Sequence, residues 1–284
     1  EVMDSERYLK MFVTRATRLK MPPKTQEDYM EEEKGAVVYT DEELKIIEDA
    51  LSTEDGNLLT AFYLGLLCGL RISEAFALRW RDVDFDYNFI TVSRQLHYEH
   101  GRLELTGVKT LRGVRKIFIS QKLSEYLWDV RSFQMGFKKK YQEAYRDTER
   151  VYDTIEKRWL DESERDFVNR KRNGELLTVN SMKYWTKKIN PLLREHAEQR
   201  AALFKLGNCG QYVPIDAKQF QYHSLRHTYA TRCAFSNMPV FMLMQLLGHK
   251  KIDTTKKYYI GLEDDFTEEK TRELISSIYK MREQ

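Results

Sequence analysis

One short span near the end of the sequence gathers a fixed cation, several imidazoles and a pair of phenols. It runs Tyr222-His223-Ser224-Leu225-Arg226-His227, then Leu247-Gly248-His249, then Tyr258 and Tyr259. An arginine forks onto phosphate oxygens and keeps its charge throughout the physiological range. A histidine exchanges protons near neutrality. A tyrosine hydroxyl becomes a nucleophile where cations lower the cost of its phenolate. Together these residue types can hold a phosphodiester and attack it without a metal ion.

The spacing sharpens this. His223 and Arg226 stand three apart, so on a helix they share a face and reach one anion together. His227 stands four from His223, a spacing that also suits zinc, with Cys209 or Cys233 as further ligands; no glutamate follows His223, so the HExxH pattern is absent. Two adjacent tyrosines on a helix point about 100° apart. One of Tyr258 and Tyr259 therefore faces the site and the other packs. Far upstream, Arg71 follows an apolar run directly, and a buried arginine needs a partner. Glu74 can pair with it as a plain ion pair, or orient it onto a phosphate. Lys109 sits between two predicted strands, where a lysine is ordinarily just solvated but can also reach and protonate a leaving oxygen in a DNA groove.

These residues need elements to carry them. Thr40-Asp41-Glu42-Glu43 reads as a helix start, with Leu44, Ile46, Ile47 and Leu51 inward. A helix from about 57 to 69 is apolar almost all round, and Ser73 is expected to cap the next one. Phe89–Val92, Arg102–Leu105 after a His100-Gly101 turn, and Arg115–Ile119 read as three short strands of an antiparallel meander. Residues 137–173 are densely charged with a sparse apolar stripe (Tyr141, Tyr145, Val151, Ile155, Trp159) and read as an exposed helical insertion. A helix beginning near Thr178 carries Met182, Trp185, Ile189 and Leu192 inward. Helices follow at about 224–236 and 239–247, with Pro239 in a first turn and Gly248 as the stop. Asp253 then caps a short helix bearing the tyrosines, and a last amphipathic helix spans about Asp265 to Met281.

Composition sets outer bounds. The 284 residues suffice for one large domain with a small appendage, and 42% hydrophobic with 32% charged residues reads as globular. The net charge of +3 places any basic surface locally. Three scattered cysteines without a CxxC pair argue against a disulfide framework and fit a reducing cytosol. The apolar run from Leu58 to Leu70 is too short to span a membrane. Pro22-Pro23 and the acidic stretch from Glu27 to Glu33 read as a linker, so residues 1–36 are set apart from a main domain at 37–284.

In their order, these pieces resemble the catalytic domain of the tyrosine recombinase (phage integrase) family. Gly69-Leu70-Arg71-Ile72-Ser73-Glu74 is similar to its first-arginine motif, and Lys109-Thr110 before Arg115-Lys116-Ile117 to its hairpin lysine. His223-Ser224-Leu225-Arg226-His227 matches the HxLRH box and Leu246-Leu247-Gly248-His249 the LLGH box. The resemblance implies a mainly α fold with a small antiparallel three-stranded sheet, and residues 1–36 as the remnant of a core-binding domain and its linker. Both tyrosines fit the family's spacing. Ile260-Gly261-Leu262-Glu263-Asp264 is similar to the segment after the nucleophile in members with the longer spacing, which favours Tyr259.

The activity implied is cutting and rejoining of double-stranded DNA at specific sites, for a phage or mobile element. Arg71, Arg226, His223 and His249 would bind the scissile phosphate. Lys109 would protonate the 5′ leaving group, and Tyr259 would form a 3′-phosphotyrosine. His227 would support the helix from behind. No cofactor or metal is implied. The expected assembly is a homotetramer on DNA with the C-terminal helix exchanged between subunits, in the cytoplasm with the nucleoid. A type IB topoisomerase and a catalytically inactive DNA-binding relative are the rival readings.

Overall fold

The computed structural model describes residues 37–52, 58–108, 113–142, 145, 149–205 and 218–259. Residues 1–36, Lys109, Cys209, Ile260–Asp264 and the expected helix at Asp265–Met281 lie outside them.

Helix α1 (Asp41–Ser52) starts as its sequence dictates. Thr40 Oγ1 accepts the Glu43 N–H at 3.2 Å, and Glu43 Oε2 accepts the Thr40 N–H at 2.8 Å. Helix α2 (Leu59–Cys68) is buried on nearly every side and lies against α6 (Tyr222–Phe235). Gly65 marks their closest approach: a Cβ there would fall 2.9 Å from the Tyr222 ring, whose hydroxyl donates to the Ala61 carbonyl at 2.7 Å. At the end of α2, Gly69 adopts φ 64°, and a Cβ on it would stand 2.6 Å from Tyr229. Only glycine meets both demands, and the turn it makes throws the chain into α3 (Ile72–Ala77). The N-cap of α3 is Arg71, and the expected cap, Ser73, lies inside the helix.

The β region differs from a single meander. β1 (Val83–Asp84), β2 (Phe89–Val92) and β5 (Arg115–Phe118) form one antiparallel sheet in the order β1-β2-β5, with Ile90 opposite Ile117 and Val92 opposite Arg115. β3 (Arg94–Glu99) and β4 (Arg102–Gly107) form a hairpin in a second sheet. Its His100-Gly101 turn has φ 51° and 75°, the positive pair that a two-residue hairpin requires. Arg102–Leu105 therefore follows the expected turn but pairs with β3 on one edge, while β2 and β5 pair with each other.

The partner on the other edge of β4 comes from the charged stretch. Helix α4 (Gln121–Tyr141) takes in only its first residues, and the chain then builds β6 (Val151–Asp153), parallel to β4, and β7 (Arg158–Trp159) rather than a helical insertion. Val151, Leu160, Phe167 and Val168 are buried, and the Val168 N–H returns to the Leu78 carbonyl at 2.8 Å. The charges pair across strands and turns: Arg94 with Asp153 at 3.3 Å, and Arg158 with Glu164 at 2.6 Å. The apolar stripe thus belongs to several elements, and its near-helical spacing is a coincidence of turn lengths.

Helix α5 (Val179–Lys205) buries Met182, Trp185, Ile189 and Leu193; Leu192 is exposed. After α6 come α7 (Val240–Leu247), stopped by Gly248 at φ 67°, and α8 (Asp253–Lys256). The tyrosine pair lies in the turn that follows α8.

Candidate active site

Four segments converge at the ends of α2 and α7. Arg226, on α6, is 1% exposed. Its Nη1 donates to the Gly69 carbonyl and its Nη2 to the Leu247 carbonyl, both at 2.6 Å. It thereby ties together the first-arginine turn and the LLGH turn.

Arg71 projects from the start of α3 and keeps about a quarter of its side chain exposed, at 26%. Glu74, one turn on, is buried. Its carboxylate accepts the Arg71 backbone N–H at 2.9 Å and Arg71 Nη1 at 3.1 Å. The same carboxylate takes the two-pronged grip of Arg115 at 2.8 and 3.1 Å and lies 3.9 Å from Arg226. Burial opposes charge on Glu74, but Arg115, Arg71 and Arg226 outweigh it and hold the carboxyl well below the usual carboxylate range.

His249 is 7% exposed, and its Nδ1 shares a 2.8 Å hydrogen bond with the buried Thr255 hydroxyl. Burial, then the neighbouring Arg226 and Arg71, push His249 down to about 2. The same causes in the same order push His223 down to about 3. Both imidazoles are neutral at physiological pH. They can donate or accept hydrogen bonds without adding to the positive charge of the arginines.

The two tyrosines part company. Tyr258 is buried, its ring 4.8 Å from that of His227 and 6.4 Å from that of His249. Burial raises its pKa, and Arg226 and Arg71 pull it back down. Tyr259 points elsewhere: its hydroxyl donates to the Met238 carbonyl, and burial followed by Cys233 raises its pKa with no arginine acting on it. The sequence reading favoured Tyr259, and the phenol on which Arg226 and Arg71 act is that of Tyr258. Consecutive residues in a helical turn diverge by about 100°, and the Met238 carbonyl decides which of them turns away.

Of the expected site residues, Arg71, Arg226, His223 and His249 come together. Lys109 lies outside the described residues. His227 packs edge-on against Tyr258, and its Nδ1 is buried without a hydrogen-bond partner among the described residues. Sequence reasoning missed Arg115, Thr255 and Lys257, whose Nζ lies 5.4 Å from the Tyr258 ring centre. Arg115 was discoverable: it alternates with the inward Ile117, which puts a charge on a buried face. The zinc alternative finds no support among the described residues. The metal-ligand grouping found there, Glu99 with His100 and Glu104, lies at the β3–β4 hairpin, and Arg102 already binds Glu104 at 2.8 Å.

The model of the phage integrase family matches residues 37–264. The chain belongs to that family. Two curated relatives are similar to it in sequence. A "tyrosine recombinase XerC-like" protein of Caldanaerobacter subterraneus subsp. tengcongensis is 27% identical over 247 residues, 84% of this chain and 53% of its own length. Tyrosine recombinase XerA of Saccharolobus solfataricus is 34% identical over 125 residues, 40% of each chain. This phage integrase family chain thus spans about half or less of the curated relatives it matches. Among solved structures, the Tn1549 transposon integrase in complex with a circular intermediate DNA superposes with a TM-score of 0.56 at 21% identity, covering 80% of this chain and 62% of that one. That likeness establishes the fold as the catalytic-domain fold of the tyrosine recombinases. No helix among the described residues is long and apolar enough to cross a membrane.

Proposed function

We propose that this phage integrase family member cuts and rejoins DNA at specific sites, with Tyr258 as the nucleophile. The observation that carries this is the placement of Tyr258 under the electrostatic influence of Arg226 and Arg71, while Tyr259 bonds away to Met238. The Tyr258 oxygen attacks the scissile phosphorus, the bond to the 5′ oxygen breaks, and a 3′-phosphotyrosine forms. Arg71, with donors to spare and a quarter of its surface open, grips the non-bridging oxygens. Arg226 supplies fixed positive charge behind it. His249 donates to the same oxygens from its ring edge away from Thr255. Neutral His223 accepts the phenol proton, and it becomes a stronger base once a phosphate offsets the arginines. Lys109 protonates the departing 5′ oxygen. The diester's energy is kept in the phosphotyrosine, so rejoining needs no nucleotide.

The solved Tn1549 integrase complexes with circular intermediate and transposon-end DNA favour a mobile-element substrate for this chain. Assembly as a tetramer on two duplexes, with Asp265–Met281 docking on a neighbour, belongs to the same proposal. So does residence with the nucleoid, and so does the reading of residues 1–36 as the end of a core-binding domain. The test is a nicked duplex that loses its 5′ end on cleavage. Incubation in chelator should leave DNA covalently bound, with fragmentation placing it on Tyr258. DNA on Tyr259 overturns the assignment, and no adduct with any member of a random-sequence duplex pool sinks the activity.

A further inference from the structure

Arg115 opens β5, the strand that follows the Lys109 segment, and it is buried to 7% exposure. Its five donor positions are heavily used. Nε donates to the Leu246 carbonyl at 2.6 Å, Nη1 to Gly113 at 3.0 Å and to Glu74 Oε1 at 3.1 Å, and Nη2 to Glu74 Oε2 at 2.8 Å. We propose that Arg115 is a positioning residue for strand cleavage, acting on Arg71 through Glu74 and on the end of α7 through the Leu246 carbonyl. The proposal rests on the cleavage reading above.

A core ion pair needs one partner, and this one is built differently. The carboxylate that Arg115 grips is the one that orients Arg71, at 3.1 Å, and it lies 3.9 Å from Arg226. The carbonyl that Arg115 holds belongs to the residue before Leu247, whose own carbonyl receives Arg226 and whose helix ends just before His249. Arg115 therefore fixes the distance between the first-arginine turn and the LLGH turn. Its planar fork also sets the rotation of the Glu74 carboxylate. Without it, Glu74 is free to swing toward Arg226 and close the 3.9 Å gap. Glu74 would then cancel charge that the phosphate needs and leave Arg71 misaimed. Lysine keeps the charge at this position but cannot fork onto both oxygens, so it restores only part of the function.

The experiment compares the chain with Arg115→Met and Arg115→Lys on a nicked trap duplex selected from a random pool by wild-type adduct formation. At saturating DNA, Arg115→Met should form adduct about 100-fold more slowly, as expected for misplaced catalytic groups, with the DNA dissociation constant changed by less than about threefold. Arg115→Lys should fall between. A duplex with sulfur replacing the 5′ bridging oxygen has a leaving group that needs no proton. The deficit should persist on that duplex, because the phosphate-binding arginines are displaced rather than the general acid. If Arg115→Met does not fold, Arg115→Lys carries the same comparison. Adduct formation by Arg115→Met within about threefold of wild type overturns the proposal, as does a deficit that the sulfur duplex abolishes. No wild-type adduct with any pool member counts against the cleavage reading itself. A wild-type adduct with unaffected variants counts against Arg115 alone.

Discussion

Tyr258 and His249 stack with their rings 13° from parallel and 6.4 Å apart, and both are held by Thr255. Thr255 Oγ1 shares a hydrogen bond with His249 Nδ1 at 2.8 Å, and the Thr255 carbonyl accepts the Tyr258 N–H at 3.1 Å. One buried threonine thus sets the relation between the proposed nucleophile and a proposed phosphate ligand. Thr255→Val removes the hydroxyl and keeps the shape. Cleavage should slow about 10-fold, and leaving the buried His249 nitrogen without its partner should cost about 1–3 kcal/mol of stability. Single-turnover adduct assays and urea titration check the two effects separately.

Phenylalanine at each tyrosine should give opposite results. Tyr258→Phe should abolish the covalent adduct and leave the fold intact. Tyr259→Phe should cleave at close to the wild-type rate and lose about 1 kcal/mol of stability with the hydrogen bond to Met238. Gel-shifted adduct and thermal unfolding, measured on both variants, check the assignment.

Removing Glu74 should be far more damaging than removing a surface acid. Glu74→Gln strips the counter-charge from Arg71 and Arg115, the second of which is buried. Uncompensated buried charge costs roughly 3–5 kcal/mol. The urea midpoint should drop accordingly, and added sulfate should recover part of the loss.

Stability should fall as the solution is acidified. Folding depresses His223 to about 3 and His249 to about 2, whereas an unfolded histidine titrates near ~6.5. Between those values the unfolded chain binds protons that the folded site refuses. The stability is therefore fully present above about pH 6.5 and declines at about 1.4 kcal/mol per pH unit for each histidine. Glu74, also depressed on folding, adds a loss of the same sign below about pH 4.3. His249→Asn should flatten the slope between pH 6.5 and 5, measured by urea unfolding across that range.

Gly69→Ala tests the turn that joins the two halves of the site. A methyl would meet Tyr229 at 2.6 Å from a backbone at φ 64°, and the carbonyl of this residue receives Arg226. A cost of about 1–3 kcal/mol is expected from strain and overpacking together. Thermal unfolding and the adduct rate should both report it.

The chemistry was more legible in the sequence than the framework. Arginine, histidine and tyrosine announce themselves by type, and the three-residue spacing of Arg71 and Glu74 already implied a pair, which the structure forms. Which of Tyr258 and Tyr259 lies beside the arginines was not legible, because both fit the spacing and the bond of Tyr259 to the remote Met238 carbonyl leaves no mark in the sequence. Strand identity was legible, but pairing was not. β2, β4 and β5 are all short, and nothing in Arg102–Leu105 announces that its neighbour is Val151–Asp153. The 137–173 stretch misled because its charges pair within turns and strands, which a count of exposed charge cannot distinguish from a solvated helix.

Arg226 is seated on two main-chain oxygens, those of Gly69 and Leu247, where α2 and α7 end. Helix ends of this polarity attract a cation without consuming a formal negative charge. Three guanidinium groups consequently crowd around a single carboxylate, and the site holds an excess of positive charge inside the protein. In the proposed reaction the substrate phosphate supplies the counter-charge. A DNA phosphate bound as proposed would relieve self-repulsion as well as make contacts, and so would act as the last structural element of the domain.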